Sequence, residues 1–230
     1  MKRFYKQVAV IEADGGFSVA LDAKPVRTPA KLPFAVPTRA LAEGIAAEWE
    51  AQGDEVKPAT MPLTQLASTS IDGVRGRLDA VAEASAVYGE SELVCYRADE
   101  PDELVERQAR LWNPLLDWAA RRYDAQLLVT SGIIHRAQPT DALKAMRAGV
   151  DELDEWRLTA LQNVIGITGS LLVSLALVDG HLTAEQAFDL AQLDENFQIE
   201  KWGEDYEAAD RRAIQRADLA HTVRFLELLR

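Results

Sequence analysis

From Leu158 to Val178 the chain carries no charged side chain, and Val164 to Val178 is mostly apolar. A stretch of this kind is stable only away from water, in a protein core or across a bilayer. A spanning helix wants about 20 predominantly apolar residues. Here Thr159, Gln162, Asn163, Thr168, Ser170 and Ser174 interrupt the run, and Gly166 and Gly169 lie inside it. The run is therefore expected as a buried core helix within a longer helix, Trp156 to Leu177. A chain of 230 residues buries roughly 70% of its unfolded surface, enough to enclose such a helix without a disulfide or metal.

The pattern differs at the two ends. Phe4 to Ile11 alternates like a strand, Asp14-Gly15-Gly16 supplies the positive-φ residues of a tight hairpin, and Phe17 to Leu21 returns. Pro25 to Pro29 reads as extended, and Phe34 to Val36 as one more short strand. Thr38 is placed to cap a helix ending near Gly53, with Leu41, Ile45, Ala46 and Trp49 on one face.

Beyond Pro58 helical periodicity prevails: Pro62–Val74, Leu78–Tyr88, Glu103–Tyr123, a helix opened by Pro139, Thr183–Trp202 and Tyr206–Leu229. Leu104, Gln108, Leu111, Leu115 and Trp118 share one face, and Pro114 should kink or divide that helix. Thr183 with Gln186 matches a capping box. Leu93–Tyr96 and Leu127–Ile134 read as short strands. The class is α+β: a small β-containing domain over residues 1–76, then a larger, mainly helical one over 77–230.

Charge narrows the partners. With 25 Lys and Arg against 37 Asp and Glu, the net charge is −12. This opposes nucleic-acid binding, which needs a cationic face, and docking on an anionic leaflet. No stable membrane insertion is expected. The single cysteine, Cys95, forbids an intramolecular disulfide and suits a reducing compartment. In its apolar setting it reads as a small buried hydrophobe. Met1 to Val10 has Lys2, Arg3 and Lys6 but no apolar core, which reads as neither secretory signal nor organelle presequence.

Enzyme signatures are sparse. His135, His181 and His221 are dispersed, and no P-loop, GxGxxG or GxSxG motif occurs. The segment from Asp194 to Asp205 stands out. Read as continuing the Thr183 helix to Gly203, it has an apolar stripe of Leu190, Leu193 and Phe197. Asp194, Gln198 and Trp202 lie about 100° away, with Glu195 one position further round. Asp194 to Asp210 holds seven acids against Lys201 alone. Three readings stand side by side: a solvated helix face, a carboxylate-based enzyme or metal site, and a partner-binding strip. Acids in a last helical turn would oppose the macrodipole, and tryptophan is a common interface anchor; both favour the partner strip.

Collinear blocks along the chain resemble a known family: the assembly chaperones that hold the alpha subunit of the soluble head of the F-type ATP synthase. The blocks are Arg3-Phe4-Tyr5-Lys6, Leu21-Asp22, Pro25 to Lys31, Glu48-Trp49 with Ala51-Gln52-Gly53, and Met61-Pro62-Leu63-Thr64. Cys95-Tyr96-Arg97, Arg107-Gln108, Trp112 with Pro114-Leu115-Leu116, Thr168-Gly169-Ser170 and the acidic segment follow. The resemblance implies a non-enzymatic chaperone without a cofactor. Such a protein shields unassembled alpha subunit until the beta subunit replaces it. It also implies a client-binding role for Asp194, Glu195, Gln198, Glu200, Trp202, Glu204 and Asp205, with Glu195 foremost, and a packing role for Trp49. A bacterial cytoplasmic location follows, or the mitochondrial matrix for a processed form. Three positions depart from the family pattern: Ala23 where glycine is expected, Gln65 where a base is usual, and Asn113 where an acid is usual.

Overall fold

The hairpin forms around Asp14-Gly15. Val8–Ala13 (β1) and Gly16–Leu21 (β2) pair antiparallel, Val8 opposite Leu21 and Ala13 opposite Gly16. Lys24–Pro25 (β3) adds antiparallel to β2. The computed structural model describes residues 1–132 and 135–230, and these separate into two units. The first comprises Met1–Leu78, Glu155–Ala160 and His221–Arg230; the second comprises Asp79–Asp154 and Leu161–Ala220.

In the first unit β2 is the central strand, and Ser18, Val19, Ala20 and Leu21 are all buried. Gly16 is obligatory there, since a Cβ would sit 2.2 Å from the Val36 carbonyl oxygen. The first strand starts later than its alternation suggests. Residues before it bridge to the segment after the first helix instead: Arg3 N–H donates to Asp54 O (2.9 Å) and Val56 N–H to Met1 O (2.7 Å). Phe34–Val36 forms only an isolated bridge, Val36 with Phe17. Pro33 and Pro37 flank it and remove the donors a ladder would need. At Ala23 φ is +66°, a left-handed conformation that strains a side chain with a Cβ.

Arg39–Glu50 (α1) is capped by Thr38, whose hydroxyl accepts from Leu41 N–H at 3.1 Å, and it buries Leu41, Ala42 and Ile45. It ends three residues before Gly53. Gln52 then ties down the following loop, accepting from Lys57 N–H (2.7 Å) and donating to Glu48 O (3.0 Å). Pro62–Thr69 (α2) has no cap of its own and borrows one. The Glu48 carboxylate accepts from Leu63 N–H (2.7 Å), Thr64 N–H (2.8 Å) and the Thr64 hydroxyl (2.7 Å). Burial raises the Glu48 pKa, and these hydrogen bonds oppose the shift. Ser70–Val74 continues α2 as a π turn.

The second unit is helical. Leu78–Ala86 (α3) is followed by 3₁₀ turns at Val87–Ser91 and Leu93–Cys95, so the strand expected at Leu93–Tyr96 shrinks to Tyr96–Arg97 (β4). Asp102–Tyr123 (α4) runs through Pro114 without dividing. Pro114 and Arg110, whose carbonyl loses its partner, are both exposed, so water serves the freed group. The buried face is Gln108, Trp112, Leu115, Trp118 and Ala119; Leu111 lies outside it. Thr130–Ser131 (β5) pairs parallel with β4, and Ile133 and Ile134 of the expected strand fall outside the described residues. Thr140–Asp151 (α5) follows Pro139.

The uncharged run is two helices rather than one, Glu155–Thr168 (α6) and Leu171–Val178 (α7). Gly169 (φ +67°) turns the chain between them. All eight residues of α7 are buried. Among the described residues no helix is long and apolar enough to cross a membrane. The start of α7 is served by Glu92, which accepts from Leu172 N–H (3.0 Å) and the Ser170 hydroxyl. Full burial raises the Glu92 pKa, against those hydrogen bonds. Cys95 is buried nearby, and burial together with the Glu92 charge pushes its thiol up to about 12, that of an inert thiol.

Ala184–Ala191 (α8) carries the expected capping box of Thr183 and Gln186. The expected single helix Thr183–Trp202 breaks at Gln192 (φ −102°, ψ 20°), and Leu193–Trp202 (α9) is separate. Gly203 (φ +87°) ends it, and Tyr206–Leu228 (α10) closes the chain.

Candidate functional site

The break at Gln192 changes the electrostatics at the start of the acidic segment. Asp194 and Glu195 stand in the first turn of α9, where acids complement the helix dipole instead of opposing it. Asp205 likewise precedes α10 and accepts from Ala208 N–H at 3.3 Å. Glu200 stays in the last turn of α9, where the dipole opposes it and its pairing with Arg107 offsets the cost.

The acids are also engaged inside the second unit. Asp194 is half-buried and accepts from Gln108 Nε2 at 2.7 Å. Gln108 in turn accepts from Ala98 N–H at 2.8 Å. Glu200 takes both Arg107 nitrogens at 2.8 Å, and that pairing lowers its pKa. Lys201 donates to Glu103 at 2.6 Å, and Glu103 lies 3.7 Å from Arg107. Arg107 and Lys201 both lie over the Phe197 ring, each 5.2 Å from its centroid. The buried Phe197 is thus roofed by cations, which the carboxylates neutralise.

Arg212 joins the other acids. Its side chain is 8% exposed and lies 3.7 Å from Glu195 and 3.1 Å from Glu204. It also donates to Gln192 (3.0 Å) and to Asn196 and lies 5.2 Å from the Phe188 ring centroid. Arg211 adds a second contact to Glu195 at 3.7 Å. Arginines 107, 211 and 212 lie outside the acidic window, so counting charge within it could not find them.

What remains unengaged, besides the exposed acids Glu207 and Asp210, is aromatic and amide. Trp202 is 78% exposed, Tyr206 is 80% exposed, and Gln198 is exposed. Tyr206 was missed from sequence because it begins a new helix past the glycine. Among the described residues no group of three or more His, Cys, Asp or Glu could hold a metal. His135 pairs with the Tyr96 hydroxyl (2.9 Å), and His181 stacks on Trp118 at 5.1 Å.

Comparison with known proteins fits this frame. A family model described as ATP12 chaperone protein matches residues 2–120, more than half of the chain. The chain belongs to the ATP12 chaperone family. The match ends before the acidic helix, but likeness to solved ATP12 structures does not. Atp12 from Paracoccus denitrificans superposes with a TM-score of 0.95 at 42% identity, covering 100% of this chain and 98% of that one. An aspartate-to-lysine mutant of the same bacterial Atp12p gives 0.95 at 41% identity, with coverage of 100% and 98%. Mitochondrial atp12 of Schizosaccharomyces pombe is 25% identical over 214 residues, 88% of this chain and 74% of that one.

Proposed function

We propose that this protein is an assembly chaperone of the F-type ATP synthase that holds the unassembled alpha subunit, prevents its aggregation and yields it to the beta subunit. The observation that carries this reading is the end-to-end likeness to Atp12 of P. denitrificans at 42% identity. The chemistry is consistent with it. An unassembled subunit exposes a large face that aggregates in water. A replaceable cover needs a few aromatic anchors with polar surroundings, not a dry hydrophobic seal. Trp202 and Tyr206 supply such anchors. Asp194, Glu195, Glu200 and Glu204 act chiefly by holding α9 and its tryptophan in place through Gln108, Arg107 and Arg212. Gln198, on the same exposed side, and Asp205, capping α10, complete the surface. The working compartment is the bacterial cytoplasm or the mitochondrial matrix, where alpha subunit awaits assembly.

The test is co-expression with the cognate alpha subunit alone. Soluble alpha should increase, and purified beta should dissolve the complex. Equal aggregation with and without this protein would sink the reading. Trp202→Ala should reduce recovery of soluble alpha while leaving the melting temperature within about 1 °C, because an exposed ring contributes little to stability. Glu195→Lys is less clean, since it would set a third cation against Arg211 and Arg212.

A further inference from the structure

The first unit contains a cavity of about 470 Å³, within the range of ligand pockets. Its walls include Val26 and Arg27 after the hairpin, Trp49 near the end of α1, and Met61, Thr64 and Ser68 at and along α2. These belong to or adjoin blocks that carry the family resemblance, and the family match over residues 2–120 spans them. The wall is apolar with interspersed hydroxyls; its one charged side chain is Arg27, and Met1, whose N-terminal ammonium donates to Val56 O at 3.5 Å, also lines it. Arg27 is exposed and donates to Lys31 O at 2.9 Å. Among the described residues no carboxylate pairs with it. Its surroundings in the chain are basic. Residues 1–31 hold six Lys and Arg against three Asp and Glu, in a protein of net charge −12.

We propose that this cavity is a second client site, one that accepts an extended polypeptide segment bearing an apolar side chain beside a carboxylate. The apolar side chain enters between Trp49 and Met61, the carboxylate pairs with Arg27, and the Ser68 hydroxyl serves the segment's main chain, the Thr64 hydroxyl already donating to Glu48. A neutral apolar small molecule would leave Arg27 unused. The inference rests on the chaperone reading above, which makes an unassembled polypeptide the occupant. It differs from the acidic helix in sign: this site selects acids on the client.

The probes are overlapping 15-residue peptides covering the alpha subunit, alongside intact alpha subunit. The reporter is the Trp49 indole N–H resonance, assigned by its loss in Trp49→Phe; that nitrogen is buried and donates to no acceptor. Peptides joining Leu, Ile or Val to Asp or Glu should shift this resonance. Arg27→Glu should weaken them at least tenfold with an unchanged melting temperature, and Ser68→Trp, filling the cavity, should do the same. Equal binding to Arg27→Glu would overturn the proposal. So would intact alpha held by wild type while no peptide moves the Trp49 signal. If alpha is not held but acidic-apolar peptides still bind through Arg27, the cavity stands and the alpha-subunit reading fails.

Discussion

Helices α7 and α9 lie in the same unit and represent opposite ways of holding a helix. All eight residues of α7 are buried, and a buried acid, Glu92, serves its start. Only Leu193 and Phe197 of α9 are buried, and the rest of its anchorage is polar, chiefly pairing with Arg107 and Arg212 together with the Gln108–Asp194 and Lys201–Glu103 contacts. Burial is contributed by every residue, whereas pairing depends on a few distant cations. The first arrangement makes a rigid core; the second leaves a surface helix whose attachment can be altered without collapsing the fold.

Mutation can break this contrast. Leu175→Ala should cost about 2–5 kcal/mol in chemical denaturation; a loss below about 1 kcal/mol would mean that α7 is not the core element described. Arg212→Ala should cost less, about 1–2 kcal/mol, because its carboxylate partners are about one-third exposed and water replaces part of the pairing. Hydrogen exchange should rise in α9 and the start of α10 and stay unchanged in α7. Exchange that rises equally in both helices would erase the distinction.

The pH responses should differ in sign. Burial raises the Glu92 pKa above its ordinary value of 4.5, so the folded state binds the proton more readily than the unfolded chain. That contribution is present below about 4.5 and is lost as pH rises through the raised value. Glu92→Gln should therefore flatten the fall in stability above that range, though not abolish it, since Glu48 is raised by burial as well. Glu200 is lowered by Arg107, so its contribution is present above the ordinary carboxylate range and is lost on acidification. Glu200→Gln should remove a small part of the acid-side loss, read from urea midpoints between pH 3 and 5. Identical slopes for both variants would contradict the contrast.

The same two helices show what was legible from sequence and why. The uncharged run announced its burial because hydrophobicity is carried by each residue locally. The Asp14-Gly15-Gly16 hairpin, the Thr38 cap and the Thr183–Gln186 box were legible for the same reason. The division at Gly169 was less so, because a lone glycine is tolerated within many helices. The break at Gln192 has no breaker residue at all and arises where Arg212 and the packed Phe188 hold the chain. Within the candidate site the acids and Trp202 could be read directly. Their partners could not: Arg107 and Glu200 lie 93 positions apart, and no local pattern joins them.

The arginine partners of α9 also bear on how fast a client can find it. Seven acids close together in sequence suggest a strong negative field that would draw basic surfaces from a distance. Arg107, Arg211 and Arg212 lie within 4 Å of Glu200, Glu195 and Glu204, so three of the seven acids are paired. Asp194 and Asp205 accept from uncharged donors, and among the described residues Glu207 and Asp210 have no ion pair. Paired charges fade quickly with distance, whereas the unpaired acids keep a net negative field. A basic client surface should therefore still be steered toward Trp202 and Tyr206, and its association should slow as salt is raised, though less than seven unpaired acids would give.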